Sequence, residues 1–206
     1  MSFTRTKINL KRAAAPDMTD QEYFTVHHAL TVNVEPLASD AYFPSFEDFL
    51  EEIPAPFIVA SEFSQLDQLS DSAKLELKNN DFKHVIQLLD TQNSKLNLLL
   101  TFMLSQQDDP QYRRTSKAFG ASKLTYHSEE MLSVGTKLRI KLFLEHPPAA
   151  IYCYATVDSV EQQDGDNIIT AKYDLLRDTD QDLLIKAALH QQQKLLRQRS
   201  LDREKT

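Results

Sequence analysis

The chain has 206 residues, of which 41% are hydrophobic and 26% charged, so it can bury a core and form one domain with an elaborate insertion. No stretch approaches 18 consecutive apolar residues, which argues against a membrane-spanning helix. Only three glycines and one cysteine occur, which excludes glycine-rich phosphate loops and a disulfide within the chain.

The net charge of −7 is unevenly distributed. Residues 20–109 hold 16 acidic side chains against 4 lysines and no arginine, a local net charge of −12. Residues 110–206 have a local net charge of +2. We therefore expect the second half to tolerate an anionic ligand that the first half repels. Neither half is basic enough to predict binding to a nucleic-acid polymer.

Residues 1–19 are predicted to form a basic arm or a disordered extension outside the fold. The basic residues of this arm are Arg5, Lys7, Lys11 and Arg12. No apolar run of signal-peptide length follows them, which indicates a cytoplasmic protein. The single cysteine, Cys153, fits a reducing compartment.

A domain over residues 20–206 follows. Apolar and polar residues alternate over 23–34, which predicts a half-buried first strand. A short helix around Phe46 is expected to end before Pro54 and Pro56, and inserted helices are predicted over 61–106, closed by Pro110.

A strict seven-residue spacing of apolar side chains marks the inserted helices. The line consists of Leu75, Phe82, Leu89, Leu96 and Met103. This is the pattern of a coiled-coil interface, and it predicts self-assembly into a homo-oligomer. An amphipathic helix packed on its own domain shows similar periodicity. The exact spacing of seven and the nearly continuous apolar run over 96–104 favour assembly between subunits.

After Pro110 the pattern changes to short strands, predicted over 112–176, with a hairpin turn at Asp164-Gly165. A closing helix is predicted over 179–200. Five or six short strands and one helix indicate a small barrel, and hence an α+β fold.

Three stretches resemble the PilZ domain, the bacterial barrel known as a receptor for cyclic di-GMP. They are residues 132–142 (LSVGTKLRIKL), 155–157 (ATV) and 171–173 (AKY), and the resemblance covers about 112–200. With the first strand at 23–34 and the long inserted helices, the chain is most similar to the atypical, tetramer-forming PilZ subfamily. The resemblance implies a six-stranded antiparallel barrel, a helix-bundle tetramer and a signalling role in motility, adhesion, biofilm formation or virulence.

The ligand motifs of that family do not carry over. The arginines of R-x-x-x-R fall on Thr19 and Tyr23, and the positions of D/N-x-S-x-x-G fall on Ala118, Gly120 and Lys123. Each missing charge-assisted contact removes about 1.5–3 kcal/mol. Because micromolar binding corresponds to only about −8 kcal/mol, we do not expect the usual binding mode.

Substitute cations lie nearby, and they are the predicted ligand-binding residues. Arg113 and Lys117 reproduce the spacing of the first motif, and Arg114 and Lys123 lie close to them in sequence. Arginine in such a site binds phosphate and stacks on guanine. The alternative interpretation of this run is a solvated strand edge.

No catalytic or metal-binding constellation is apparent, and Glu129 and Glu130 are interpreted as solvated surface. We therefore expect a non-enzymatic signalling protein without a cofactor, with cyclic di-GMP as the ligand that the resemblance implies and an unknown protein partner. One alternative is a degenerate barrel that acts as a constitutive scaffold. Another is an enzyme accessory subunit whose acidic segment, residues 20–109, docks a basic partner.

Overall fold

The computed structural model describes residues 25–64, 66, 82–145, 148–163 and 165–204. The predicted arm at 1–19, the first-motif positions Thr19 and Tyr23, and Leu75 of the heptad line lie outside the described residues.

The described part of the chain forms seven strands and four helices. The strands are β1 Thr25–His27, β2 Thr31–Pro36, β3 Arg113–Gly120, β4 Lys123–Ser128, β5 Lys137–Glu145, β6 Pro148–Gln163 and β7 Asp166–Leu175. The helices are α1 Phe46–Glu52, α2 at residues 55–64, α3 Lys83–Ser105 and α4 Asp178–Glu204. None of the described helices is long and apolar enough to cross a membrane.

Six of the strands close into an antiparallel barrel. Their order is β3-β2-β5-β6-β7-β4, and β4 pairs again with β3, while β1 lies against the end of β3 as an outer strand. The predicted fold class, an α+β fold with a six-stranded antiparallel barrel, inserted helices and a C-terminal helix, is therefore confirmed. Barrel closure removes the unpaired sheet edges that would otherwise favour aggregation.

The hydrophobic core has two parts, one on each side of β6. Inside the barrel, alternating residues such as Ile140, Leu142 and Cys153 are buried, and the first half of α4 packs against them. Outside the barrel wall, aromatic rings from α1 and α2 and two leucines at the end of α3 form a second cluster with Tyr152 and Tyr154. Strand β6 is therefore buried on both faces over its first half, which explains its continuous apolar sequence.

The predicted first strand, 23–34, is wrong in one respect, because it is broken in two. β1 and β2 are separated by residues 28–30, and β2 continues to Pro36. At the break, the Ser116 hydroxyl accepts a hydrogen bond from the Leu30 N–H and donates one to the His28 carbonyl, both at 2.8 Å. A side chain from β3 thus satisfies backbone groups that a continuous ladder would have paired.

The inserted helices begin earlier than the predicted residue 61. α1 ends before Pro54 as expected, but residues 55–64 are already helical. Pro56 lies in the first turn of α2, where the missing N–H would have no partner within the helix, so it does not block the helix.

Candidate functional site

Two of the four predicted ligand residues line one groove at the beginning of β3. Arg113 and Arg114 form one side of a cavity of about 600 Å³. The other side is built from the end of β4, the residues after it and the start of β7. It presents three carboxylates, from Glu129, Glu130 and Asp166.

Lys117 and Lys123 do not line this groove. Lys117 lies four residues further along β3, which is about 13 Å for extended backbone, and its Nζ donates a hydrogen bond to Gln163. Lys123 begins β4 and lies opposite Lys172 in the sheet register. The R-x-x-x-K spacing therefore does not bring its two cations together, because it runs along a strand.

Arg113 already has a carboxylate partner. Its Nη2 lies 2.7 Å from Oδ2 of Asp108, and the Arg113 side chain is half exposed. The hydrogen bond to Asp108 and the charge of its carboxylate raise the pKa of the Arg113 guanidinium. Arg113 therefore remains a cation at any physiological pH.

Arg114 is held differently. Its Nη1 donates to the backbone carbonyls of Gln111, at 3.3 Å, and of Arg113, at 2.8 Å. Nε and Nη2 make no further hydrogen bond within the described part of the chain. A guanidinium has five N–H donors, so three of them are available to a ligand in the groove.

Tyr126 lies buried on β4 near this groove, and the sequence analysis missed it. Its hydroxyl makes no hydrogen bond with the described residues. Burial raises the pKa of Tyr126, while the charge of Arg114 lowers it and that of Glu130 raises it. The phenol therefore stays neutral and keeps its proton. The alternating pattern of β4 shows that Tyr126 is buried, but not that its hydroxyl lacks a partner.

A second surface lies on α3. The described members of the heptad line, Phe82, Leu89, Leu96 and Met103, are all 44–47% exposed. Other large apolar residues of α3 are exposed as well: Val85, Leu88, Leu98, Leu99 and Phe102. Only Leu100 and Leu104 are buried, against the outer cluster of the core. The helix therefore attaches to the barrel at its C-terminal end and leaves uncovered an apolar stripe formed by Phe82, Leu89, Leu96 and Met103.

Groups of side chains suited to metal binding do not assemble in the described residues. No cluster of three or more His, Cys, Asp or Glu side chains there could hold a metal ion. Cys153 is fully buried in β6, and burial raises the pKa of its thiol well above the ordinary value. A buried thiol of that kind is a poor nucleophile.

Comparison with known proteins identifies the type of fold. No family model matches the sequence, and no curated protein matches it. A solved structure of a pathogenic protein from Xanthomonas campestris, described as a new tetrameric PilZ domain self-assembled via an unusual helical bundle, is similar over 86% of this chain and 92% of that chain. The two are 13% identical, with a TM-score of 0.54.

A second solved structure, the Bacillus subtilis inhibitor of motility (MotI/DgrA), is similar over 40% of this chain and 42% of that chain. It is 18% identical, with a TM-score of 0.38. The similarity to the Xanthomonas campestris structure shows that the barrel and inserted helices of this chain form a PilZ-like fold.

Proposed function

We propose that this chain is a non-enzymatic, cytoplasmic bacterial signalling protein of the PilZ type, which acts through protein–protein contacts as a homo-oligomer. The observation that carries the proposal is the exposed apolar stripe on α3, a helix inserted into a PilZ-like barrel. Exposed apolar side chains gathered along one helix in this way usually mark an interface.

We propose a tetramer as the assembled form. The Xanthomonas campestris protein of similar fold is described as a tetramer assembled through a helical bundle. In this chain the stripe keeps a spacing of seven over Phe82 to Met103, which suits helices packed side by side. Leu100 and Leu104 face the barrel instead, so the same helix can bind its own domain and a second copy.

The ligand that we propose for the groove at Arg113 and Arg114 is cyclic di-GMP. The cavity of about 600 Å³ falls within the usual range for small-molecule sites. Arginine binds phosphate through paired N–H donors. The carboxylates on the opposite side are suitable acceptors for the N–H groups of guanine. A ligand that combines phosphates with a donor-rich base matches both sides.

The alternative, a scaffold that binds no nucleotide, is supported by the same groove. Its three carboxylates repel phosphate, and one of its two arginines is already paired with Asp108. In that case the oligomer would present a constant surface to a protein partner.

Calorimetric titration of cyclic di-GMP distinguishes the two. We expect micromolar binding that becomes at least about tenfold weaker in the Arg113→Gln/Arg114→Gln double variant, since charge-assisted contacts are lost. Lys123→Gln is the matched control, because it removes a nearby cation outside the groove and should leave the affinity unchanged. Absence of heat at millimolar ligand would favour the scaffold. An equal loss of affinity in Lys123→Gln would show that the binding site lies outside the groove.

A further inference from the structure

Asp108 connects the groove to the helix that carries the apolar stripe. It follows the end of α3 by three residues, and its side chain is only 16% exposed. One carboxylate oxygen accepts a hydrogen bond from Nδ2 of Asn33 at 2.7 Å, and the other lies 2.7 Å from Nη2 of Arg113. The carboxylate of Asp108 therefore connects the end of α3 to strand β2 and to the groove.

Asn33 is the fixed part of this junction. It lies on β2, is 3% exposed, and its Oδ1 accepts from the Asp109 backbone N–H at 2.7 Å. Its Nδ2 also donates to the Asp109 carbonyl at 3.2 Å. Because both partners of Asn33 lie within four residues of the end of α3, this amide attaches the segment after the helix to the barrel wall.

The carboxylate of Asp108 needs a cation at this position. The C-terminal end of a helix carries partial negative charge, which disfavours a nearby carboxylate. The last turn of α3 contains no basic residue. Arg113 supplies the compensating charge, so the Asp108–Arg113 ion pair is part of the attachment of α3.

The two arginines of the groove are therefore not equivalent. Nη2 of Arg113 lies 2.7 Å from the Asp108 carboxylate, whereas Arg114 bonds only to backbone carbonyls in the described part of the chain. An anion that enters the groove therefore meets one guanidinium without a carboxylate partner and one whose charge Asp108 partly neutralises. It gains the full charge of Arg113 only by weakening the pair with Asp108.

We propose that Asp108 is a built-in competitor for the anion site, and that it lowers the affinity for a phosphate-bearing ligand and couples ligand binding to the attachment of α3. This inference rests on the proposed ligand site. When an anion takes Arg113, Asp108 loses its cation beside the helix end, and the attachment of α3 then depends on Asn33, on the Lys141 hydrogen bond to the Gln107 carbonyl and on buried Leu104. Coupling is reciprocal, so weakening the Asp108–Arg113 pair strengthens ligand binding.

The test is a titration of cyclic di-GMP into the full-length protein, its Asp108→Asn variant and its Asp109→Asn variant. Asp109 is the matched control, because the neighbouring carboxylate accepts from the Gln111 N–H and does not pair with Arg113. We expect Asp108→Asn to bind at least about fivefold more tightly than Asp109→Asn, the lower end of ordinary coupling between sites. Equal affinities would overturn the competition.

Hydrogen exchange, measured in the unmutated protein and in Asp108→Asn, gives a second readout that does not depend on the affinity. Saturating cyclic di-GMP should speed exchange of the amides of residues 101–107, and this effect should disappear in Asp108→Asn. Binding without any change in these amides would overturn the coupling and leave the receptor proposal standing. Absence of binding in all three proteins would overturn both proposals together.

Discussion

Replacing Leu89 and Leu96 with glutamate should dissociate the oligomer without unfolding the subunit. Both side chains lie on the exposed stripe of α3 and belong to neither cluster of the core. In an isolated subunit the substitutions therefore replace half-exposed side chains outside the core. The substitutions therefore weaken mainly the contact between copies of the chain.

The size of the effect follows from the exposed fractions. Complete burial of a leucine side chain contributes about 1.5–3 kcal/mol. Leu89 and Leu96 are 44% and 47% exposed, so about half of that remains to be gained at an interface, roughly 1 kcal/mol each. A pair of subunits contains four such side chains, or roughly 4 kcal/mol, which corresponds to about a thousandfold rise in the dissociation constant. Desolvation of the introduced carboxylates increases the loss.

The assay is the mass in solution by light scattering, with circular dichroism melting to confirm that the subunit stays folded. Leu98→Glu is the matched control. Leu98 is 71% exposed on the same helix. It lies two residues after Leu96, so its side chain is rotated by about 200° around the helix axis and lies away from the stripe. We expect the control to keep the wild-type mass. An unchanged mass in the double variant, or equal dissociation in the control, would refute the assignment of the stripe.

Three further outcomes are expected. Phe57→Ala should lower the free energy of unfolding by about 3–5 kcal/mol, since Phe57 is fully buried against Phe143 and Tyr152. Urea denaturation measures this free energy, and a loss under about 1 kcal/mol would contradict the packing. Cys153 should react with a thiol reagent only after unfolding, because burial raises its pKa; rapid labelling of the native protein would contradict its burial. Burial also raises the pKa of Asp180, against the opposing effect of Arg177. The stability that Asp180 contributes is therefore present below about pH 4 and is lost as the pH rises through the pKa of Asp180 in the folded protein. Over this rise in pH, the unfolding free energy of the wild type should fall relative to that of Asp180→Asn. A difference that does not change with pH would count against this assignment.

Much of the barrel could be predicted because its signals are local. Leu138, Ile140 and Leu142 alternate with basic residues, and all three are buried in β5. The β6–β7 hairpin lies at the predicted turn, where Gly165 has a φ of 94° that other residues rarely adopt. The alternation of apolar and polar residues along a strand, and the sequence of a tight turn, each involve only a few neighbouring residues.

The features that could not be predicted depend on residues distant in sequence. The break between β1 and β2 is stabilised by Ser116, 86 residues from Leu30. The pairing of Arg113 with Asp108 joins residues close in sequence, but it depends on the turn of the chain between α3 and β3, which no periodic pattern predicts. The predicted set of four ligand residues rested on linear spacing, and only folding shows that Arg113 and Arg114 share a groove while Lys117 and Lys123 lie elsewhere.

The solution mass of the unmodified protein shows most directly whether α3 assembles the PilZ-like barrel into a homo-oligomer. We expect about four times the 23.6 kDa mass of one chain, independent of concentration above the dissociation constant. A mass of 23.6 kDa at every concentration tested, with the fold intact, would contradict it.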